Sequence, residues 1–312
     1  MAGPLVIIAG PTASGKTALS LFLAEQLGGE ILCCDSLQVY RAMDIGTAKA
    51  SADERKRVTH YGLDLSDPHK PFDVKQFSDY AMSVAGSTEK PLFCVGGSGF
   101  YLQTFYGPVC DTISISPVVR EHVQNILCTN GLDGLLSELD RRCNGAEFTI
   151  DRQNPRRVAR ALERAMETGE PPAVSLERFR KRTGNFTGRR VFTIYIEPPT
   201  GCHEIAIRSR IAHMLSEGLV GETETLRTMG FERNPSAGNA VGYREVLEFL
   251  DDKLSRDALP ERIFIRSRQL CRKQRSWFRH HLPTDIVACN GQNDWQRVLD
   301  AVGEFLANGE PR

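Results

Sequence analysis

The chain has 312 residues, of which 41% are hydrophobic and 25% are charged, an ordinary composition for a globular protein of one large or two smaller domains. Lysine plus arginine equals aspartate plus glutamate at 39 each, so net charge by itself argues against a nucleic-acid partner. No apolar stretch reaches the length of a membrane span and residues 1–4 carry no basic leader, so we expect a cytoplasmic protein without membrane association. The nine cysteines are scattered without CxxC pairs, which argues against a disulfide framework or a zinc site.

A glycine-rich loop follows the first predicted strand. The apolar run Leu5–Ala9 predicts a buried strand, residues 10–17 match GxxxxGK[ST] in full, and a helical pattern begins at Thr17. This order is typical of a P-loop, in which backbone N–H groups and a helix N-terminus surround a phosphate. Lys16 adds a positive charge, and the Thr17 hydroxyl is a candidate Mg²⁺ ligand. The predicted phosphate-binding residues are Gly10, Pro11, Thr12, Ala13, Ser14, Gly15, Lys16 and Thr17.

Asp35 is the next candidate for chemistry. It ends a predicted strand that begins at Glu30, and α/β sheets bind ligands at the carboxyl ends of their strands. A carboxylate there could hold Mg²⁺ through water or accept a proton from an attacking group, and position alone leaves both roles open. Asp35 could also do no more than cap the following segment. Residues 36–49 show no clear period and are interpreted as a structured loop over the site.

Further strands and helices alternate up to a second glycine-rich turn. We predict a strand at 58–65, a helix at 72–85 and a buried strand at 91–95. The turn at 96–99 follows this strand, so it would place Ser98 near the phosphates, although close helix packing explains such a turn equally well. The alternation indicates an α/β fold with a parallel, helix-covered sheet of the P-loop NTPase type.

A helical region without strand signals interrupts this pattern. We predict helices at 118–127, 132–143 and 156–167, and therefore an inserted all-helical domain at 112–190 between core segments 1–111 and 191–312. The core is expected to resume with a strand at 192–196. Its later elements are predicted as helices at 204–217, 221–229, 243–250, 260–281 and 295–306 and a strand at 286–289.

Two segments are strongly basic despite the neutral total. Residues 151–190 hold eleven Lys or Arg against five Asp or Glu, and residues 262–281 hold seven against none. Such clusters fit local binding of a polyanion, although solvated helix faces explain them as well. Arg156 and Arg160 share one helix face. Trp277 and Phe278 within the second segment suit stacking on RNA bases, or they form the buried side of that helix.

Six stretches together resemble the tRNA dimethylallyltransferases, a family of isopentenyltransferases. They match in order across nearly the whole chain, and DSLQVY followed by DIGTAK after a P-loop is highly specific. The stretches are GPTASGKT at 10–17, DSLQVYRAMDIGTAK at 35–49, VGGSGFYLQ at 95–103, NPRRVARALE at 154–163, AVGYRE at 240–245 and RKQRSWFR at 272–279.

The resemblance implies transfer of a dimethylallyl group from dimethylallyl diphosphate to N6 of the adenosine 3′-adjacent to the anticodon, in tRNAs that read codons beginning with U. The products would be N6-isopentenyladenosine and diphosphate, with Mg²⁺ as cofactor. The P-loop would hold the leaving diphosphate, with Lys16, Thr17, Asp35 and Ser98 as catalytic residues. The tRNA anticodon stem-loop would contact Asp35, Ser36, Leu37, Gln38, Ser98, Arg120, Arg156, Arg157, Val158, Ala159 and Arg160. A bacterial-type monomer is expected, because no zinc finger follows and no hydrophobic heptad is evident.

Two departures from the family pattern lie at residues expected near the site. Ser98 replaces the usual threonine and keeps the hydroxyl, whereas Ala206 stands where an arginine is common. If that arginine holds diphosphate, Arg208 or Arg210 must replace it. Three rival functions stay open: a small P-loop kinase, an isopentenyltransferase acting on free adenine nucleotides, and a nucleotide-switched RNA-binding protein without catalysis.

Overall fold

The computed structural model describes residues 3–109, 113–143, 148–289 and 292–308. The chain divides into two compact units: a core of Met1–Tyr106 with Asn185–Arg312, and an insertion of Gly107–Gly184. The predicted boundary between residues 111 and 112 lies outside the described residues. At the other end the core resumes at Asn185, a few residues before the predicted position of 191.

The core contains a parallel β-sheet, as the sequence predicts. Among the described residues it has six strands in the order β3-β2-β4-β1-β5-β6, and every pair of neighbours is parallel. The strands are β1 Leu5–Ala9, β2 Glu30–Cys33, β3 His60–Tyr61, β4 Leu92–Gly96, β5 Val191–Ile196 and β6 Ile286–Ala288. The strand predicted at 58–65 therefore shortens to the two residues of β3.

Helices cover both faces of the sheet, which is why its strands are nearly continuous apolar runs. Leu5 and Ile7 face one helical layer, whereas Val6 and Ile8 face the other. The core helices are α1 Lys16–Leu27, α2 Ala52–Arg57, α3 Val74–Ser87, α4 Gly99–Gln103, α8 Thr200–Ser216, α9 Leu219–Thr228, α10 Pro235–Gly238, α11 Tyr243–Leu250, α12 Leu259–His281 and α13 Gln292–Ala307. No helix in the described part of the chain is both long and apolar enough to cross a membrane.

The described residues of the insertion form three helices, α5 Pro117–Cys143, α6 Pro155–Thr168 and α7 Pro172–Arg180. Gly131 takes a non-helical conformation (φ 65°, ψ −156°) and divides α5, so the two helices predicted there form its two halves. Asn154 caps α6, because its side chain accepts hydrogen bonds from the N–H groups of Arg156 and Arg157 at 3.1 and 3.3 Å. The insertion has its own apolar core, formed by residues such as Val123, Leu135, Leu139, Val158 and Leu162.

The strand order brings three loops to one edge of the sheet. Strand β4 lies between β1 and β2, so the segments after Ala9, Cys33 and Gly96 are neighbours at the carboxyl ends. Gly96 is required for this approach, because a Cβ atom there would lie 2.0 Å from the Cys34 carbonyl oxygen. The P-loop, the Asp35 loop and the second glycine-rich turn therefore meet through the sheet topology.

We expect Gly96→Ala to lower the free energy of unfolding by about 2 kcal/mol or more, because the new methyl group forces the backbones of β2 and β4 apart. Gly86→Ala is the matched control. It lies in α3, and a Cβ atom added there would have no described atom within 4 Å, so it should raise stability by about 0.5 to 1 kcal/mol. Urea denaturation measures both, and equal stabilities of the two variants would contradict the close approach.

Candidate active site

The P-loop has the backbone conformation that an anion site needs. Ala13 and Gly15 have positive φ angles of 61° and 89°, so the chain turns sharply before α1 begins at Lys16. The N-cap residue of α1 is Gly15, which has no side chain to cap the first turn, and the N–H groups of that turn are therefore available to a ligand. The Lys16 Nζ atom donates a hydrogen bond to the Pro11 carbonyl oxygen at 2.7 Å, which holds it over the loop.

A cavity of about 940 Å³ opens from the P-loop. Most of the predicted P-loop residues line it, together with Asp35 and Gln38 from the neighbouring loop. Its further walls include Thr47, Ala48, Gly97, Ala206, Ser209 and Arg210. The cavity thus joins a glycine-rich loop, a carboxylate and a guanidinium group from three different parts of the core.

The electrostatics of this cavity favour an anion. Burial is the main reason that the pKa of Lys16 falls to about 8, with the charge of Arg210 acting in the same direction and that of Asp35 against it. Burial also lowers the pKa of Arg210, and Asp35 again opposes the shift. Two cations therefore share a partly desolvated space, and a bound anion would relieve their repulsion.

Asp35 is held by the backbone that follows it. Its Oδ1 atom accepts a hydrogen bond from the Leu37 N–H at 2.8 Å, which fixes the carboxylate beside the cavity. The Ser36 N–H donates to the Ser98 hydroxyl at 2.9 Å, and this hydroxyl lies 3.2 Å from the Ser36 hydroxyl. Ser98 therefore connects the second glycine-rich turn to the residue next to Asp35.

The loop between residues 36 and 49 is held by a glutamate that sequence reasoning missed. Glu222 in α9 accepts hydrogen bonds from the N–H groups of Asp44, Ile45 and Gly46 at 2.7 to 3.0 Å. The Tyr243 hydroxyl donates to the same carboxylate at 2.6 Å. No local pattern could identify Glu222, because it lies more than 170 residues along the chain from the loop it holds.

The donor set at the loop fits Mg²⁺. Thr17 is exposed to the cavity, Asp35 lines the same space, and the buried Ser14 hydroxyl has no hydrogen-bond partner in the described part of the protein. The described residues contain no cluster of three or more His, Cys, Asp or Glu placed to hold a metal ion. Mg²⁺ commonly keeps several waters and binds through few protein groups and substrate phosphates, so a cluster of that kind is not required.

The structure distinguishes between the two arginines near Ala206. Arg208 points to the surface, where it pairs with Glu261 at 2.8 Å and lies over the Phe264 ring. Arg210 instead lines the cavity one helical turn after Ala206, and its guanidinium donates to the Thr47 carbonyl oxygen at 3.2 Å. Arg210 has no carboxylate partner within salt-bridge distance among the described residues, so its charge is available to an anion.

The predicted tRNA-binding residues of the insertion differ in exposure. Arg120, Arg156 and Arg157 are exposed, and Arg160 is exposed while pairing with Glu163 at 2.8 Å. Val158 is fully buried in the core of the insertion, so its assignment as a tRNA contact is wrong. The reason is the helix period, which turns the third residue of this stretch away from the arginine face.

Helix α12 packs against the second glycine-rich turn. A Cβ atom on Gly99 would lie 2.5 Å from the Trp277 ring, and Phe278 is buried, so these aromatic side chains form the packed side of the helix. This supports the alternative in which they form the packed side of the helix, with Trp277 half-buried and Phe278 buried. Four of the seven cations of residues 262–281 pair with glutamates, namely Arg262 with Glu248, Arg266 with Glu245, Arg268 with Glu204 and Arg275 with Glu197. Arg272, Lys273 and Arg279 are exposed.

Comparison with known proteins agrees with the sequence resemblance. The family described as IPP transferase matches residues 38–281, and the family described as isopentenyl transferase matches residues 3–65. The chain belongs to the IPP transferase family. A tRNA dimethylallyltransferase of Opitutus terrae is 38% identical over 283 residues, covering 89% of this chain and 91% of the relative. One from Corynebacterium jeikeium is 34% identical and covers 96% of each chain.

Solved structures show the same fold. The tRNA isopentenylpyrophosphate transferase of Bacillus halodurans has a TM-score of 0.70 at 28% identity, covering 97% of this chain and 96% of its own. A eukaryotic dimethylallyltransferase has a TM-score of 0.85 at 23% identity and covers 99% of this chain and 81% of its own. The predicted P-loop α/β architecture is therefore confirmed as that of the family.

We expect Arg210→Leu to weaken binding of inorganic pyrophosphate in the presence of Mg²⁺ by about tenfold or more, since it removes a charged donor from the cavity. Arg208→Leu, on the same helix but facing solvent, is the matched control and should change the affinity by less than about twofold. Isothermal titration calorimetry measures both. Equal losses in the two variants would contradict the assignment of Arg210 to the anion site.

Proposed function

We propose that the protein transfers a dimethylallyl group from dimethylallyl diphosphate to N6 of the adenosine 3′-adjacent to the anticodon, in tRNAs that read codons beginning with U. The products are N6-isopentenyladenosine and diphosphate. One observation carries the proposal: a P-loop and the Asp35 carboxylate line a single cavity. The relatives named tRNA dimethylallyltransferase support the choice of substrates.

The P-loop is suited to stabilise a leaving diphosphate. As the bond between the allylic carbon and the diphosphate oxygen breaks, negative charge grows on that oxygen and positive charge on the carbon. N–H groups at the start of α1, the Lys16 ammonium and the Arg210 guanidinium offset the negative charge. Mg²⁺ held by the Thr17 hydroxyl would supply further Lewis-acid stabilisation of the diphosphate.

Asp35 is suited to activate the adenine N6 amine that accepts the dimethylallyl group. The lone pair of the adenine N6 amine is delocalised into the ring, so the amine is a poor nucleophile. A carboxylate that accepts a hydrogen bond from N6 directs the lone pair at the allylic carbon and takes up the proton released when the N–C bond forms. Because its other hydrogen bond is to the Leu37 N–H, Asp35 keeps its orientation during this step.

The acceptor base must leave the anticodon stack to enter the cavity, as in other enzymes that modify a base. Gln38 borders the cavity, and its amide nitrogen donates to the carbonyl oxygens of Thr47 and Ala48 at 3.2 and 3.3 Å. These bonds orient its own carbonyl oxygen as an acceptor for the entering base. The exposed arginines of α6 in the insertion are suited to phosphates of the anticodon stem-loop.

The rival functions are less well supported. A kinase would place ATP on the P-loop, but the relatives named above are prenyl-transfer enzymes, and a transferase of free adenine nucleotides has no need of an arginine-rich insertion. We also propose that the protein acts in the cytoplasm as a monomer.

The deciding experiment incubates the protein with Mg²⁺, labelled dimethylallyl diphosphate and an unmodified tRNA with adenosine next to the anticodon. Mass spectrometry of the nucleosides should show one dimethylallyl group on that adenosine. We expect Asp35→Asn to reduce the rate by about a hundredfold or more while tRNA affinity stays within about twofold. Transfer of phosphate from ATP without prenyl transfer would favour the kinase, and a fully active Asp35→Asn variant would overturn the role of Asp35.

We expect the double variant Arg156→Ala, Arg160→Ala to bind tRNA more weakly and with a salt dependence whose log–log slope is less steep by about one to two, because phosphate contacts release counterions. Arg141→Ala with Arg152→Ala is the control. Both residues lie in the same unit, are exposed, and pair with Glu138 and Asp140, and their removal changes the net charge equally. Identical salt slopes for the two double variants would argue against an arginine face on α6.

A further inference from the structure

Thr12 of the P-loop is held by side chains from distant parts of the core. The His203 Nε2 atom in α8 lies 2.7 Å from the Thr12 carbonyl oxygen, and the Gln274 carbonyl oxygen in α12 accepts from the Thr12 N–H at 2.9 Å. Both polar backbone groups of Thr12 are therefore bonded from outside the loop. Gln274 also donates to the Gly97 carbonyl oxygen at 3.0 Å, which joins the P-loop to the second glycine-rich turn.

The hydrogen-bond partners of His203 determine its tautomer. A carbonyl oxygen only accepts, so the Nε2 atom that faces Thr12 carries the hydrogen. A guanidinium only donates, so the Nδ1 atom, 2.9 Å from Arg275, is the acceptor. Arg275 is itself oriented by Glu197 at 2.8 Å. Because Nδ1 accepts from Arg275, the ring is neutral in this arrangement. Burial lowers the pKa of His203, the hydrogen bond to Thr12 opposes that shift, and the Arg275 charge acts in the same direction as burial.

The position of Thr12 matters because backbone N–H groups of the loop form the proposed anion site. His203 is 2% exposed, so its bond to Thr12 is shielded from competing water. A rotation of the Thr12 peptide would move the following residues, including Ala13 and Gly15 with their positive φ angles. Those residues aim the N–H groups of the loop at the anion.

We propose that His203 is a positioning residue for the diphosphate: oriented by Arg275, it fixes the Thr12 peptide and thereby the anion-binding conformation of the P-loop. This inference deepens the proposed function and rests on it for the identity of the ligand. His203 and Ala206 lie one turn apart on α8. The helix that lacks the arginine common in the family thus contacts the P-loop backbone through His203 and faces the anion cavity through Arg210.

Two near-isosteric substitutions test the roles of the two ring nitrogens separately. The amide nitrogen of His203→Gln can occupy the place of Nε2 and donate to Thr12, whereas His203→Asn can reach only the place of Nδ1. We expect His203→Gln to bind Mg²⁺ and pyrophosphate within about twofold of wild type, and His203→Asn and His203→Leu about tenfold more weakly. Gln274→Ala should weaken binding comparably, whereas Gln296→Ala, an exposed residue of α13, should not.

Pyrophosphate affinity, by calorimetry, thermal stability and tRNA affinity are measured for every variant. A positioning role changes pyrophosphate affinity and the KM for dimethylallyl diphosphate while tRNA affinity stays unchanged. Equal pyrophosphate affinity of the Gln and Asn variants, or wild-type affinity of His203→Leu, would overturn the proposal even if the wild type prenylates tRNA. Loss of pyrophosphate affinity in His203→Asn but not in His203→Gln would support the positioning role even if no prenyl transfer occurs. The experiment therefore distinguishes failure of the positioning role from failure of the proposed function.

Discussion

The structure depends on keeping a run of backbone N–H groups aimed at one point. Peptide groups converge in this way only when residues such as Ala13 and Gly15 adopt positive φ angles, which have a conformational cost for a residue with a side chain. The surrounding elements maintain that conformation. Strand β1 lies inside the sheet and fixes one end of the loop, α1 fixes the other, and side chains of α8 and α12 hold Thr12 between them.

The second constraint is electrostatic. Lys16 and Arg210 are close enough for the arginine charge to lower the pKa of the lysine, and the desolvation of both groups adds to the cost of keeping them protonated. Asp35 offsets part of the repulsion, and an anion bound to the loop would offset more. A ligand with several negative charges therefore gains affinity from the same arrangement that would stabilise charge on a departing group. In the proposed reaction, binding and leaving-group stabilisation would therefore share their residues.

Some of the fold and site is readable from local sequence. The GxxxxGKT pattern after an apolar strand, the acid at the end of β2 and the absence of strand signals in the insertion each depend on neighbours along the chain. Helix periodicity predicted most boundaries within a few residues. Val158 is an exception among the predicted site residues, because it belongs to the same stretch as Arg156 and Arg160 but lies on the buried face of the helix.

The sequence alone therefore determined the glycine-rich loop, the α/β class and the family, because their signals are local patterns of residue type and spacing. Tertiary structure decided which polar groups serve the site. His203 and Gln274 meet Thr12 across 191 and 262 residues of chain. Arg210 and Arg208 are two residues apart and chemically identical, yet only the packing of α8 turns Arg210 into the cavity. Such choices depend on how helices are placed on the sheet, which no spacing along the chain records.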